Sequence, residues 1–73
     1  MIGNAASKAK AVLRMVRETK KAVRSENIAS KLDIVEFHLV KALETENVQE
    51  QGVHMSVAKD FLAQAQQAVR EAA

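Results

Sequence analysis

The chain has 73 residues with a net charge of +2, no cysteine, no proline and only two aromatic residues. This length allows one small domain, residues 1–73. The absence of cysteine excludes disulfides and thiolate metal sites. A chain this short buries too little apolar surface to be very stable alone, so we expect self-association or a partner to add stability. No apolar run approaches the roughly 20 residues that span a bilayer. The first ten residues lack the apolar core of a secretory signal, so a cytoplasmic protein without membrane contact is expected.

The charge is distributed unevenly along the chain. Residues 1–24 hold seven Lys or Arg and one acid, which gives +6, whereas residues 25–73 hold four cations and eight acids, which gives −4. A basic first third followed by an acidic remainder indicates an anionic partner for the first part. The alternative is that the two parts attract each other within an oligomer.

Residues 5–24 predict a first helix with two faces. Apolar or small residues recur every three or four positions from Ala5 to Val23, so they line one side. Asn4 or Ser7 is the expected N-cap. A row of cations lies about 200° from the apolar side, with two more in support. This expected phosphate-binding set is Lys10, Arg14, Arg17, Lys21 and Arg24, supported by Lys8 and Lys20.

Residues 27–45 predict a second helix after a bend near Ser25. Its core stripe is regular and comprises Ile28, Leu32, Val35, Leu39 and Ala42. A straight helix leaves Ile34 and Phe37 on the far side, so either the chain turns near Asp33 or these two residues face another subunit. We favour the subunit interface.

Residues 44–52 are polar and end in Gly52, so they predict a loop. A third helix follows over residues 54–71, with Ser56 as a cap and an apolar stripe from Met55 to Ala72. The predicted fold is therefore all-α with three helices. A basic amphipathic helix precedes an antiparallel helical hairpin over residues 27–71, and the first helix either folds back on the hairpin or projects as an arm.

Residues 27–43 also fit a helix-turn-helix pattern. Ala29 and Leu32 match the small and apolar positions of its first helix, and Asp33 matches its turn. Glycine is preferred in that turn because its backbone is left-handed. This alternative makes the protein a transcriptional regulator that reads bases with residues 35–43.

Residues 39–62 read LVKALETENVQEQGVHMSVAKDFL. A helix ending in L-x-x-L-E, a polar loop and a V-A-[KR]-x-F-L helix resembles small terminase subunits of short-tailed bacteriophages. The matching positions are Leu39, Leu43, Glu44, Val57, Ala58, Lys59, Phe61 and Leu62. After Leu62 the chain departs from the basic-polar ending of those proteins. The resemblance implies a ring-forming DNA-binding subunit in the host cytoplasm, with a large motor subunit as its partner.

Catalytic and metal-binding patterns are weak in this sequence. His38 and His54 could meet in space, but they have no cysteine nearby and no His-x-x-x-His spacing, so we expect no metal site. No nucleophile, base and orienting group can be identified, and the two glycines cannot form a phosphate loop. We therefore expect a non-enzymatic protein without a cofactor.

The resulting hypothesis is a DNA-binding homo-oligomer that binds phosphates with its first helix. Its most specific form is the small subunit of a viral DNA-packaging terminase. The helix-turn-helix regulator is one alternative. The other is a protein-interaction adaptor or inhibitor whose basic helix docks on an acidic protein.

Overall fold

The computed structural model describes residues 1–72. Over this range the chain forms three helices, which we name α1 (Gly3–Ala22), α2 (Glu26–Glu44) and α3 (Val48–Ala72), and it forms no strand. The predicted all-α fold with three helices is confirmed. None of the three helices has a stretch long and apolar enough to cross a bilayer.

The first two helices are separated by a three-residue connection, residues 23–25. Ser25 is the N-cap of α2, and its side chain accepts a hydrogen bond from the Ile28 amide at 3.3 Å. The predicted bend near Ser25 is therefore confirmed. The cap predicted for the first helix is wrong, because α1 begins after Ile2 without a side-chain cap and encloses Asn4 and Ser7.

The second helix is continuous through Asp33, since residues 26–44 form one α-helix. The turn that the helix-turn-helix pattern requires is therefore absent from this segment. All five residues of the predicted stripe are buried, namely Ile28, Leu32, Val35, Leu39 and Ala42. Val35 and Ala42 have no solvent exposure at all.

The predicted loop over residues 44–52 is wrong in its second half, because α3 begins at Val48. The Asn47 side chain accepts a hydrogen bond from the Glu50 amide at 3.0 Å, which satisfies a donor of the first turn. The Thr45 hydroxyl donates to the Glu50 carboxylate at 2.9 Å. These contacts start the helix before Gly52, and the predicted cap Ser56 lies inside it.

The second helix is the centre of the packing. Both α1 and α3 pack against α2, but no Cα atom of α1 lies within 8 Å of one in α3. Leu13 and Val16 of α1 and Ala58 and Ala65 of α3 join the buried residues of α2 in one core. The molecule measures 38 × 19 × 16 Å along its principal axes. A groove consequently remains open between α1 and α3, above α2.

Candidate nucleic-acid interface

Most of the predicted phosphate-binding row lies on one face of α1. Four of its five cations line a single shallow cleft of about 710 Å³, together with Leu13, Glu18 and Lys20; they are Lys10, Arg14, Arg17 and Lys21. Residues three or four apart on a helix are surface neighbours, which explains the shared cleft. The fifth cation, Arg24, lies in the exposed connection after the helix. The helical part of the row, from residue 10 to residue 21, is about 16 Å long.

Two of the predicted cations contact acids of α2. The Arg17 Nε atom lies 2.6 Å from Oε2 of Glu36, and the Lys20 Nζ atom lies 2.8 Å from Oε1 of the same carboxylate. Lys20 also pairs with Asp33. Hydrogen bonds from Lys20 and Arg17 lower the pKa of Glu36, and those to Asp33 and Glu36 raise the pKa of Lys20. The basic and acidic parts, whose attraction was the alternative considered within an oligomer, thus pair within one chain.

The remaining cations of the row are more accessible. Lys21 lies 3.3 Å from Glu18 of its own helix, and both side chains are about 70% exposed. Such a surface pair is weak and easily exchanged for another anion. Lys10, Arg14 and Arg24 have no carboxylate within 4.0 Å over residues 1–72. Arg17 itself keeps 54% of its side chain exposed.

Lys8 lies apart from this row. Its side chain lines the cavity between α1 and α3, together with Val12 of α1 and Lys59 of α3. The seven predicted cations therefore occupy three places. Lys10, Arg14, Arg17, Lys20 and Lys21 line the cleft on α1, Arg24 follows the helix, and Lys8 faces the groove.

The two residues predicted at a subunit interface differ in exposure. Ile34 is half-buried, whereas Phe37 is 54% exposed. The Phe37 ring meets His38 edge-on, with 5.1 Å between ring centroids, and the Lys41 Nζ atom lies 5.5 Å from the Phe37 ring centre. Neither contact covers Phe37, so its burial by another subunit stays a prediction.

The two histidines, which were expected to be able to meet in space, lie side by side. The Nδ1 atoms of His38 and His54 are 2.8 Å apart. A hydrogen bond at this distance requires one ring to donate and the other to accept. Burial, and secondly a charge on His54, lower the pKa of His38. No cluster of three His, Cys, Asp or Glu that could hold a metal ion occurs within the described chain.

Comparisons with protein-family models, curated proteins and solved structures give no match to this chain. The resemblance of residues 39–62 to small terminase subunits therefore has no further support. The function must be inferred from the surface, above all from the cleft on α1.

Proposed function

We propose that the protein binds DNA non-enzymatically, through contacts between the α1 cations and the phosphate backbone. The observation that carries this proposal is the convergence of four cations, Lys10, Arg14, Arg17 and Lys21, on one open cleft. Phosphate contacts hold a protein on a duplex but do not read its sequence. We therefore expect little sequence preference from this helix.

The ion pairs with α2 set the expected salt dependence. Each engaged cation contributes about −0.9 to the slope of log affinity against log salt on duplex DNA. Engagement of all five cations of the row gives about −4.5. Engagement of only the three without a carboxylate in reach, Lys10, Arg14 and Arg24, gives about −2.7. The measured slope therefore reports whether Arg17 and Lys21 exchange their carboxylate partners for phosphates.

The test is a fluorescence-anisotropy titration of a duplex of mixed sequence between about 50 and 200 mM salt. The decisive variant is Lys10→Glu with Arg14→Glu, because neither residue holds α1 to α2 and folding is spared. The matched control is Lys31→Glu with Lys41→Glu on α2, which makes the same change in net charge. Circular dichroism of each variant checks its helical content.

Loss of binding in the α1 variant, with binding retained in the control, is the expected result. Equal loss in both variants means that only net charge matters and refutes a defined site on α1. Absence of binding by the unaltered protein at about 150 mM salt refutes the proposal itself.

The proposal extends to architecture. We infer that α2 and α3 form an antiparallel hairpin, because His38 contacts His54 at one end and Ile28 and Ala68 line one shallow cavity at the other. We also infer a cytoplasmic homo-oligomer that covers Ile34 and Phe37. The chain's short length and the exposure of Phe37 support this inference.

A place in a DNA-packaging complex is the most specific form of the proposal, and the resemblance of residues 39–62 supports it. The early start of α3 is a departure from that pattern, because most of the polar loop is helical here. Mass measurement in solution tests this form: a ring of several subunits is expected, and a monomer that binds DNA would contradict it.

Docking on an acidic protein is the second candidate function. Arg17 and Lys20 already bind the carboxylates of Glu36 and Asp33, which shows that these cations accept protein acids as partners. This candidate predicts no retention of DNA at physiological salt, so the same titration separates the two functions.

A further inference from the structure

The groove between α1 and α3 is an apolar channel that no part of the described chain fills. Two cavities of about 570 and 170 Å³ lie along it, and Leu62 lines both. Val35 and Leu39 of α2 lie beneath the larger cavity and are almost fully buried, and Val12 and Met55 line its sides. From residue 8 to residue 19 of α1 the groove is about 16 Å long, which is three turns of a helix.

The walls of the groove are shaped for a closely packed element. Gly52, Ala58 and Ala65 of α3 and Ala9 of α1 contribute small side chains to the cavities. The distance between packed helices depends on the side chains at their contact, so small residues permit close approach. Met15 and Val69 line the smaller cavity and are about half exposed. A fourth helix laid here would bury these residues and complete a four-helix bundle.

The charges of the groove indicate the chemistry of that helix. Lys8 and Lys59 are the charged residues that line the two cavities, and no acid over residues 1–72 does so. A second copy of this face would bring two further lysines and no carboxylate to pair with them. An occupant with acidic residues beside its apolar stripe instead pairs with both lysines and avoids like-charge repulsion.

We propose that the groove between α1 and α3 binds an acidic amphipathic helix of another protein, with Lys8 and Lys59 pairing with its carboxylates. The apolar stripe of that helix contacts Val12, Met55 and Leu62. This site is separate from the cleft on α1, because it lies on the α3 side of that helix. Binding of DNA and binding of the partner helix can therefore be lost independently.

The test uses two synthetic peptides of about 18 residues, which is five helical turns. Both carry leucine at helical spacing on one face, and the flanking positions are glutamate in one peptide and lysine in the other. Calorimetry with the full chain measures affinity, and amide chemical shifts locate the binding surface. We expect the glutamate peptide to bind at least about tenfold more tightly and to shift amides of residues 8–19 and 52–69.

Two variants connect the binding to the groove. Lys8→Glu with Lys59→Glu should reverse the preference between the peptides, whereas the control Lys31→Glu with Lys41→Glu should keep it. Gly52→Trp should block both peptides, because a Cβ atom at Gly52 meets no atom within 4 Å and a large ring has room to project without disturbing the core. Circular dichroism confirms that each variant is folded.

Several results would overturn the proposal. These are equal affinity for the two peptides, binding of neither, or amide shifts located outside the groove. Amide shifts in the groove that change on dilution of the protein alone would assign it to a second copy. Equal perturbation of the same amides by decanoate would assign it to a small anionic amphiphile.

Discussion

Glu36 is the residue on which the attachment of α1 to α2 and the availability of its cations both depend. It accepts hydrogen bonds from Arg17 and Lys20 and is about three-quarters buried. Glu36→Gln should lower the free energy of unfolding by at most about 1 kcal/mol, because both cations that pair with it keep part of their side chains in solvent, which weakens such pairs. It should also release Arg17 for DNA, whereas Lys20 keeps its pair with Asp33, and so steepen the salt slope by up to about 0.9.

Chemical denaturation and the salt titration measure the two effects separately. Because the pKa of Glu36 is lowered by folding, its contribution to stability is present above its ordinary pKa of 4.5 and is lost as the pH falls through the folded value. The variant should therefore lose less stability than the unaltered protein on acidification in that range. An unchanged salt slope would contradict the release of Arg17 for phosphate binding.

The histidine pair gives the second prediction at this scale. Folding lowers the pKa of His38 below its ordinary value of about 6.5, so the unfolded chain binds more protons between the two values. Stability from this group is complete above about pH 6.5 and falls as the pH decreases towards the folded pKa. Urea unfolding at pH 7.5 and pH 5 should show this loss. His38→Gln should reduce it, and an equal loss in the variant would contradict this account.

Individual contacts between helices were the least predictable features. The spacing that places cations on one face of α1 does not reveal which of them face α2, so the pairing of Arg17 and Lys20 was missed. That His38 and His54 could meet was foreseen, but their direct hydrogen bond was not, since its geometry depends on how the two helices pack. The available signal was that both histidines lie within seven residues of the connection between α2 and α3, residues 45–47.

At the scale of elements, Gly52 has the clearest consequence. Gly52 lies inside α3, and its φ is not positive, unlike that of Gly3. A Cβ atom built at Gly52 would meet no other atom within 4 Å. Glycine in a helix interior is about 1 kcal/mol less favourable than alanine. Gly52→Ala should raise the free energy of unfolding by about that amount, measured by urea denaturation. Ala63→Gly, at another exposed position of α3, should have the opposite effect.

The helices themselves were largely predictable. The bounds of α1 and α2 fall within two residues of those expected, because the stripes have helical period and Ser25 is an effective cap. The helix α3 begins six residues before the predicted start at residue 54. The side chains of Thr45 and Asn47 bond to Glu50 and organise the first turn, which the polar composition of this segment did not reveal. In α1 the buried face is displaced towards Leu13, because that helix packs on α2 alone.

At the scale of the whole molecule, the exposed Phe37 and the limited core lead to a prediction about association. Within residues 1–72, ten residues form the buried apolar core, and a chain this short is marginally stable alone. If a homo-oligomer adds the missing stability, the melting temperature must rise with protein concentration by mass action. Circular dichroism melts over a hundredfold range of concentration test this. A constant melting temperature would mean that the monomer is stable alone.

The attachment of α1 has a consequence for dynamics. It packs on α2 alone, with fewer contacts than α3 makes with the same helix, and a three-residue connection joins it to α2. Local opening begins in the units with the lowest density of contacts. In native-state hydrogen exchange, the amides of α1 should lose protection together, and before those of α2. A protease that cuts after basic residues would then find α1 detached while the other two helices are still folded, and the basic end of the chain would be removed first.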